Sequence, residues 1–338
     1  MDLIQIKFIV IQDLHFNIYF MRKLNMIKIL SFILLFFIPG LVAQNNKGTH
    51  QSDKNADDYH LIWQDNFEGS KLDETNNWKV QQGGSGGGNK EMQYYNRKNI
   101  ELGKEPESGE NCLIISAKKE NHLLKKFTSG KIYSRNKISF KYGKIEARIK
   151  LPKTANGLWP AFWLLGSDYP KAEWPKCGEI DIMEMGNNNG IISGMQDRYF
   201  NGACHWGEKF NHGKYPNFAK SSISPVCLQD GFHLYTLIWD QNALKMYVDL
   251  DKNPTIKPYF EMSISGAKVP NNAANYFHKQ FFIIFNLAVG GNFTGILDVK
   301  DITALNEGEA KMYVDYVRVY QKGNIGEEFS AFNSTKNN

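Results

Sequence analysis

The sequence predicts an all-β protein built as a sandwich or jelly roll of two sheets. Short runs of apolar or alternating residues recur along the chain, and turn residues such as Gly, Pro, Asn and Asp separate them. We find no amphipathic helical pattern of useful length and no internal repeat. Many short strands without long helices are typical of sandwiches rather than of α/β folds.

The predicted strands follow one another from Tyr59 to residue 320. Residues 144–150 alternate apolar and charged side chains, as expected of a half-exposed strand. Residues 159–166 are mostly apolar and indicate a buried strand. The other predicted strands are 61–63, 112–117, 131–135, 179–184, 234–239, 244–249, 281–287 and 312–320.

Residues 1–43 predict a targeting segment. Basic residues between Arg22 and Lys28 precede an apolar run at 29–38, and small residues ending at Ala43 offer a cleavage site. This is the layout of a secretory signal peptide, so export to the periplasm or the medium is expected. The apolar run is too short to span a bilayer comfortably.

The domain limits follow from composition. The targeting pattern begins after residue 20, which favours translation from Met21 or Met26. The remaining segments are a polar, disordered lead-in at 44–58, one folded domain at 59–321 and a polar, frayed tail at 322–338.

Charge and glycine content exclude two classes of partner. The net charge is +5, but Lys and Arg are scattered, which does not favour nucleic acid. The Gly/Ser-rich segment 83–89 lacks the GK[ST] ending of a phosphate-binding loop and more plausibly borders a cleft. Aromatic residues are 13% of the chain, enough to fill a core and also stack on sugar rings.

The four cysteines are Cys112, Cys177, Cys204 and Cys227. An exported protein permits disulfides, and Cys204 with Cys227, which flank a loop-like segment, is the first candidate pair. The spacing contains no CxxC and predicts no zinc site.

The most informative segment is Glu179-Ile-Asp-Ile-Met-Glu184, in which the residues between three acids are all apolar. On a strand, Glu179 and Asp181 share one face. Strict alternation would put Glu184 on the opposite, apolar face, and a β-bulge at 182–183 returns it to the acidic face. Like charges this close repel, so we expect a chemical reason for them.

Clustered carboxylates serve three kinds of chemistry. Calcium sites usually use loop carbonyls and Asn, and magnesium sites have phosphate-handling neighbours, so neither fits a largely apolar strand. Glycoside hydrolysis uses two carboxylates, which retaining enzymes hold about 5–5.5 Å apart. Glu179 and Glu184 on one face of a bulged strand fit this separation.

Three tryptophans flank the acids and are candidate sugar platforms: Trp159, Trp163 and Trp174. We expect one or two of them to lie in the core instead. Phe162 and Leu164 are expected on the opposite face from Trp163.

The acidic segment resembles the E-x-D-x-x-E signature of glycoside hydrolase family 16, in the bulged form of its laminarinase-like branch. Further blocks resemble the family in the same order along nearly the whole mature chain. They are 89–95 (NKEMQYY), 142–152 (YGKIEARIKLP), 157–166 (GLWPAFWLLG), 285–291 (FNLAVGG) and 314–320 (VDYVRVY).

The resemblance implies a β-jelly-roll of two curved antiparallel sheets with a concave cleft, acting as a retaining endo-β-1,3-glucanase without a catalytic cofactor. It implies that Glu179 is the nucleophile, Asp181 its helper and Glu184 the acid/base. It also implies a monomer and a β-glucan substrate. The substrate-binding residues it implies are Asn89, Trp159, Trp163, Trp174, His205 and Asn286.

The resemblance also implies a structural calcium ion. Asp315 matches its carboxylate ligand, and backbone oxygens near Glu68 and Gly109 would complete the site. Residues 191–226 match no family block, so they leave fine specificity open.

Other functions remain open at this point. Mixed-linkage β-1,3/1,4-glucan and the marine galactans agar, porphyran and carrageenan are alternative substrates. A non-catalytic glycan-binding β-sandwich is the alternative of another class, although a binder has no need of three mutually repelling acids.

Overall fold

The computed structural model describes residues 59–210 and 214–332. The predictions for residues 1–58 lie outside this part of the chain. The described strands are β1 (His60–Asp65), β2 (Lys79–Val80), β3 (Gln93–Tyr95), β4 (Ile100–Lys104), β5 (Asn111–Lys118), β6 (Phe127–Ser129), β7 (Lys131–Tyr133), β8 (Ile138–Lys141), β9 (Gly143–Lys150), β10 (Leu158–Gly166), β11 (Glu179–Met185), β12 (Tyr199–His205), β13 (Asn217–Ile223), β14 (His233–Trp239), β15 (Ala243–Val248), β16 (Phe260–Ser263), β17 (Phe281–Val289), β18 (Glu309–Gln321) and β19 (Glu328–Ala331).

Helices are short in the described chain. The α-helix α1 spans Asn188–Ile192, and the 3₁₀ helices are Gly86–Gly88, Arg97–Asn99, Ala273–Asn275 and Val299–Asp301. No helix in residues 59–210 and 214–332 is long and apolar enough to cross a membrane.

The strands form two sheets, which confirms the predicted β-jelly-roll sandwich. A ten-stranded sheet has the order β16-β15-β14-β9-β18-β5-β6-β3, with β1 beside β18 and β4 beside β5. A nine-stranded sheet has the order β13-β12-β11-β10-β17-β7-β2, with β8 beside β17 and β19 beside β8. The described pairings are antiparallel except that of β3 with β6.

Strand β17 lies inside the nine-stranded sheet, and this position accounts for its apolar sequence. All its residues are buried, and it pairs with β10 on one side and with β7 and β8 on the other. A strand buried on both faces needs a continuous apolar run, which Phe-Phe-Ile-Ile-Phe supplies. Asn286 is its buried polar exception, so its amide requires hydrogen-bonding partners.

Aromatic contacts between the sheets fill the core. Trp239 of β14 meets Phe281 of β17 edge-on, with ring centroids 5.5 Å apart. Trp78 packs on Phe285 at 6.0 Å. Such pairs contribute about 0.5–1.5 kcal/mol each beyond the burial of their surface.

The predicted frayed tail is wrong for part of its length. Residues Glu328–Ala331 form β19, which pairs with β8. Lys141 forms an ion pair with Glu328, and the Gln321 side-chain amide donates to the Glu328 carbonyl at 3.0 Å. The segment is polar because it is an edge strand. A disordered terminus is polar too, so polarity alone could not distinguish the two.

The candidate Cys204–Cys227 disulfide is also wrong, since all four cysteines are free. Cys204 is fully buried in the apolar core, and its strand neighbour His205 points to the other face. Cys227 lies outside the core, where its sulfur accepts a hydrogen bond from the Gln229 backbone at 3.4 Å.

Candidate active site

The acidic strand β11 carries the bulge predicted from its sequence. Its pairing with β12 joins Asp181 to Ala203 and Glu184 to Asn201, so two residues of β11 face one residue of β12. Ile182 is fully buried. The extra residue restores Glu184 to the face of Asp181, as the apolar spacing requires.

Neighbouring strands place the other candidate residues beside the acids. Glu184 lies opposite Ala161 of β10, which in turn lies opposite Asn286 of β17. Asp181 lies opposite Trp163.

A glycine ends the acidic strand. Gly186 has a positive φ of 96°, and a Cβ atom there would lie 1.9 Å from the Leu158 carbonyl oxygen. Only glycine combines this conformation with this close approach. Strand β11 therefore ends at Met185, and the chain changes direction at Gly186.

Two tryptophans hold the two outer carboxylates. The Trp174 indole N–H donates to Glu179 Oε2 at 3.1 Å, and the Trp159 indole N–H donates to Glu184 Oε1 at 3.0 Å. Trp159 also stacks on Phe293, with ring centroids 4.5 Å apart. Each glutamate is thus oriented by a different aromatic side chain.

Trp163 completes the same surface. Its indole N–H donates to Asn286 Oδ1 at 2.6 Å, which gives the buried amide its partner. Phe162 and Leu164 are fully buried on the core side, as predicted. The expectation that one or two of the three tryptophans lie in the core is wrong: all three are half-buried on the acidic face, where their N–H groups bind polar residues.

His205 lies beside the acids, while its predicted contact with substrate stays a prediction. Its Nε2 is 3.2 Å from Asp181 Oδ2 and 3.9 Å from Glu179 Oε1. In the described structure, Asp181 Oδ2 has only this ionic contact with His205, and the buried His205 Nδ1 makes no hydrogen bond. Unpaired buried polar atoms are costly, so they mark a surface suited to a polar ligand.

The surroundings raise the pKa values of both glutamates. Burial raises the pKa of Glu179 to about 8, and the charge of Asp181 acts in the same direction. His205, Lys131 and the Trp174 N–H act against this rise. Burial removes water from around the charged carboxylate, and this loss raises the pKa of any buried acid.

The pKa of Glu184 is raised well above its usual range, by burial first and then by the charge of Asp181. Burial raises the pKa of Asp181 too. Lys131 opposes the rise at Glu179. Both glutamates therefore hold a proton more tightly than a free carboxylic acid, as a general acid at neutral pH must.

Two residues of this site, Lys131 and Tyr215, were not predicted from the sequence. Lys131 of β7 lies over the Trp163 ring, with its Nζ 4.6 Å from the centroid, and its charge acts on Glu179. Burial lowers the pKa of Lys131. The sequence places Lys131 at the start of a predicted strand, but it does not show which residues of other strands lie beside it.

Tyr215 is the second missed residue. Its ring packs 4.6 Å from Trp174 and 5.6 Å from His205, and the charges of the triad act on its hydroxyl. It belongs to residues 191–226, which matched no family block. That segment therefore contributes to the site.

Asn89 lies at the edge of the site. Its backbone carbonyl accepts from the Asn292 N–H at 2.8 Å, just beyond the end of β17, and its side chain is exposed. The structure thus places Asn89 by the end of the strand that carries Asn286, while its contact with substrate stays a prediction.

Two places offer ligands for a cation. Ligand atoms of Glu179, Asp181 and His205 all lie within 4.8 Å of one another. At the predicted calcium site, the Arg148 guanidinium donates to Asp315 Oδ2 at 2.5 Å. Arg148 already neutralises this carboxylate, so Asp315 fits calcium only if it shares its oxygens with Arg148.

A sandwich with two tryptophan-bound carboxylates on one strand, both with raised pKa values, is typical of a glycoside hydrolase site. Residues 88–276 match the family model described as glycosyl hydrolases family 16. The chain belongs to this family, whose enzymes need no catalytic cofactor.

Relatives cover most of the described chain. A beta-glucanase from Rhodothermus marinus is 33% identical over 85% of this chain and 93% of its own length. The clotting factor G alpha subunit of Tachypleus tridentatus is 33% identical over 78% of this chain, which spans only 34% of that protein.

Solved structures show the same fold. A Bacteroides ovatus mixed linkage glucan enzyme of this family, in complex with a G4G4G3G product, is 38% identical, with a TM-score of 0.67 over 77% of this chain and 100% of that one. The catalytic domain of an endo-1,3-beta-glucanase (laminarinase) from Thermotoga petrophila RKU-1 is 32% identical, with a TM-score of 0.62 over 80% of this chain and 100% of that one.

Proposed function

We propose that the chain is a secreted, retaining endo-β-1,3-glucanase. The observation that carries the proposal is the bulged strand β11, which sets Glu179 and Glu184 on one face. The similarity to a laminarinase catalytic domain supports the substrate class. Secretion rests on the signal-peptide pattern of residues 1–43 alone.

In the proposed reaction, Glu179 attacks the anomeric carbon while Glu184 protonates the departing glycosidic oxygen. A covalent bond between Glu179 and the anomeric carbon forms as the glycosidic bond breaks. Glu184, now ionised, then takes a proton from a water molecule whose oxygen attacks the anomeric carbon; the bond to Glu179 breaks, and the sugar leaves with its configuration retained. The hydrogen bond from Trp174 aims the Glu179 carboxylate. The raised pKa of Glu184 keeps the proton that the first step needs.

The unpaired atoms at the centre of the cluster suit a sugar. Hydroxyl groups can donate to Asp181 Oδ2, whose contact in the described structure is the 3.2 Å approach of His205 Nε2, and can pair with His205 Nδ1, which makes no hydrogen bond there. The half-buried faces of Trp159 and Trp163 supply apolar surface for the ring.

Mixed-linkage β-1,3/1,4-glucan is the second candidate substrate. It is favoured by the 38% identity to the Bacteroides ovatus enzyme. Marine galactans remain a third possibility, to be decided by assay.

The test is release of reducing sugar from laminarin, barley mixed-linkage glucan, agarose and carrageenan. We expect laminarin to be cleaved fastest, and Glu179→Gln is the control that should bind glucan without cleaving it. Faster release from barley glucan would move the assignment to the second candidate. No release from any polymer would leave only a glycan-binding role.

A structural calcium ion at Glu68, Gly109 and Asp315 is part of the proposal. If it is bound, a chelator lowers the melting temperature and Asp315→Asn abolishes that response. An unchanged melting temperature would remove the ion from the account.

A further inference from the structure

We propose that Tyr259 is a positioning residue that holds the β11 bulge and thereby sets the place of Glu184. Tyr259 directly precedes β16, at the edge of the ten-stranded sheet, and its backbone N–H donates to Met246 of β15 at 3.0 Å. Its hydroxyl donates to the backbone carbonyl of Ile182, in the other sheet. The side chain therefore bridges the two layers at the bulge itself.

A bulge needs such a partner. The register of β11 with β12 jumps between Asp181 and Glu184, which disrupts the regular ladder of backbone hydrogen bonds at this point. A buried carbonyl left without a donor costs about 1–3 kcal/mol. The Tyr259 hydroxyl supplies a donor to the carbonyl two residues before Glu184.

The strand opposite the bulge is shaped to admit the tyrosine ring. Gly202 of β12 lies between the partners of Asp181 and Glu184. A Cβ atom at Gly202 would lie 2.9 Å from Tyr259 Cε2 and 2.8 Å from Met246 Sδ. The ring also packs edge-on against Phe200, with centroids 4.8 Å apart. Glycine at 202 thus makes room for the contact.

The hydroxyl is a dependable donor. Burial raises the pKa of Tyr259 well above its usual range, and the charges of Tyr235 and Glu184 act in the same direction. The phenol therefore stays protonated wherever the enzyme is folded and active. No step of the reaction uses this proton, so its role is to fix the backbone.

The inference rests on the proposed function and can be tested by the leaving group. Tyr259→Phe keeps the ring and removes the hydroxyl. We expect it to lower kcat on laminarin by about 10- to 100-fold with KM little changed, because a small displacement of a catalytic group has this effect. On 2,4-dinitrophenyl β-laminaribioside, whose leaving group needs no proton, the release of dinitrophenol in the first turnover should stay within about twofold of wild type.

Tyr235→Phe is the matched control. Tyr235 is fully buried in β14, and its hydroxyl makes no hydrogen bond in the described structure, so removing it should leave both rates unchanged. A Tyr259→Phe enzyme with wild-type kcat on laminarin would overturn the inference. Equal losses on both substrates would also overturn it, because they indicate a general structural defect.

A double-mutant cycle provides a second measurement. If Tyr259 acts through Glu184, then adding Tyr259→Phe to Glu184→Gln lowers laminarin turnover no further. Additive losses would contradict the inference. A wild-type enzyme that cleaves neither substrate would refute the proposed function itself, which is a different outcome.

Discussion

Asp181 lies between the two glutamates and acts on both. Its charge is the second cause, after burial, of the raised pKa of Glu179 and of Glu184. Only 5% of Asp181 is exposed, so water screens this interaction weakly. The residue therefore tunes the protonation of the pair without touching the glycosidic bond in the proposed mechanism.

Asp181→Asn should shift the pH dependence of kcat/KM to lower pH. Removing a negative charge stabilises the ionised forms of Glu179 and Glu184, so both pKa values fall. Activity requires an ionised Glu179 and a protonated Glu184, so both limbs move down, by roughly 1 pH unit. We also expect kcat to fall about 10-fold or more, since the helper is lost. A pH profile with unmoved limbs would contradict this coupling.

The site residues were predictable from the sequence to different degrees. The triad was visible because acids separated only by apolar residues fit one bulged strand. Lys131 and Tyr215 were not, because nothing in their own segments shows which strand or loop lies beside them. Their roles arise from the pairing of β7 with β17 and from the packing of the segment after β12.

At the scale of elements, the turn between β4 and β5 contains a buried acid, Glu105. Glu105 has a side chain only 2% exposed and binds Lys150 Nζ at 2.9 Å. Burial acts to raise its pKa, but hydrogen bonds from Lys150 and Ser108 outweigh burial and lower the pKa to about 2. Glu107 binds the same Lys150 at 2.5 Å but is 78% exposed.

Glu105→Gln should lower the free energy of unfolding by about 2 kcal/mol at pH 7. A lowered folded-state pKa contributes stability above the unfolded value of about 4.3, and this contribution is lost as pH falls towards 2. The difference between variant and wild type should therefore shrink across that window. Urea unfolding at several pH values measures it.

Glu107→Gln is the matched control, because it removes an exposed partner of the same lysine. We expect a change of no more than about 0.5 kcal/mol. Equal losses for both variants, or a Glu105→Gln loss that does not depend on pH, would show that the hydrogen bonds to the ionised Glu105 carboxylate are not the source of the stability.

The sequence predicted strongly apolar or alternating strands well and edge strands poorly. Strands β10 and β17 were recognised because most or all of their residues are buried and apolar. Strands β13 and β19 were missed because most of their residues are exposed or half-buried and polar, like those of loops. Edge strands owe their existence to the neighbour they pair with, which local patterns do not show.

At the scale of the whole molecule, the residues that stabilise the sandwich and the residues of the candidate site lie on different faces of the nine-stranded sheet. Aromatic and aliphatic residues between the sheets form the core, while the opposite face of the nine-stranded sheet carries the acids. Tyr259 connects the two functions, since it reaches from one sheet to the bulge of the other. The class of fold was predictable because alternation and turn signals recur along the chain, whereas a contact between distant segments such as this one requires the tertiary structure.

The most direct test of the account is to trap the covalent intermediate. The enzyme would be incubated with 2,4-dinitrophenyl 2-deoxy-2-fluoro-β-laminaribioside, and its intact mass and peptide map recorded. The account predicts a single added fluoro-disaccharide, attached to Glu179. Attachment to another residue, or an active enzyme that forms no adduct and releases sugar of inverted configuration, would contradict it.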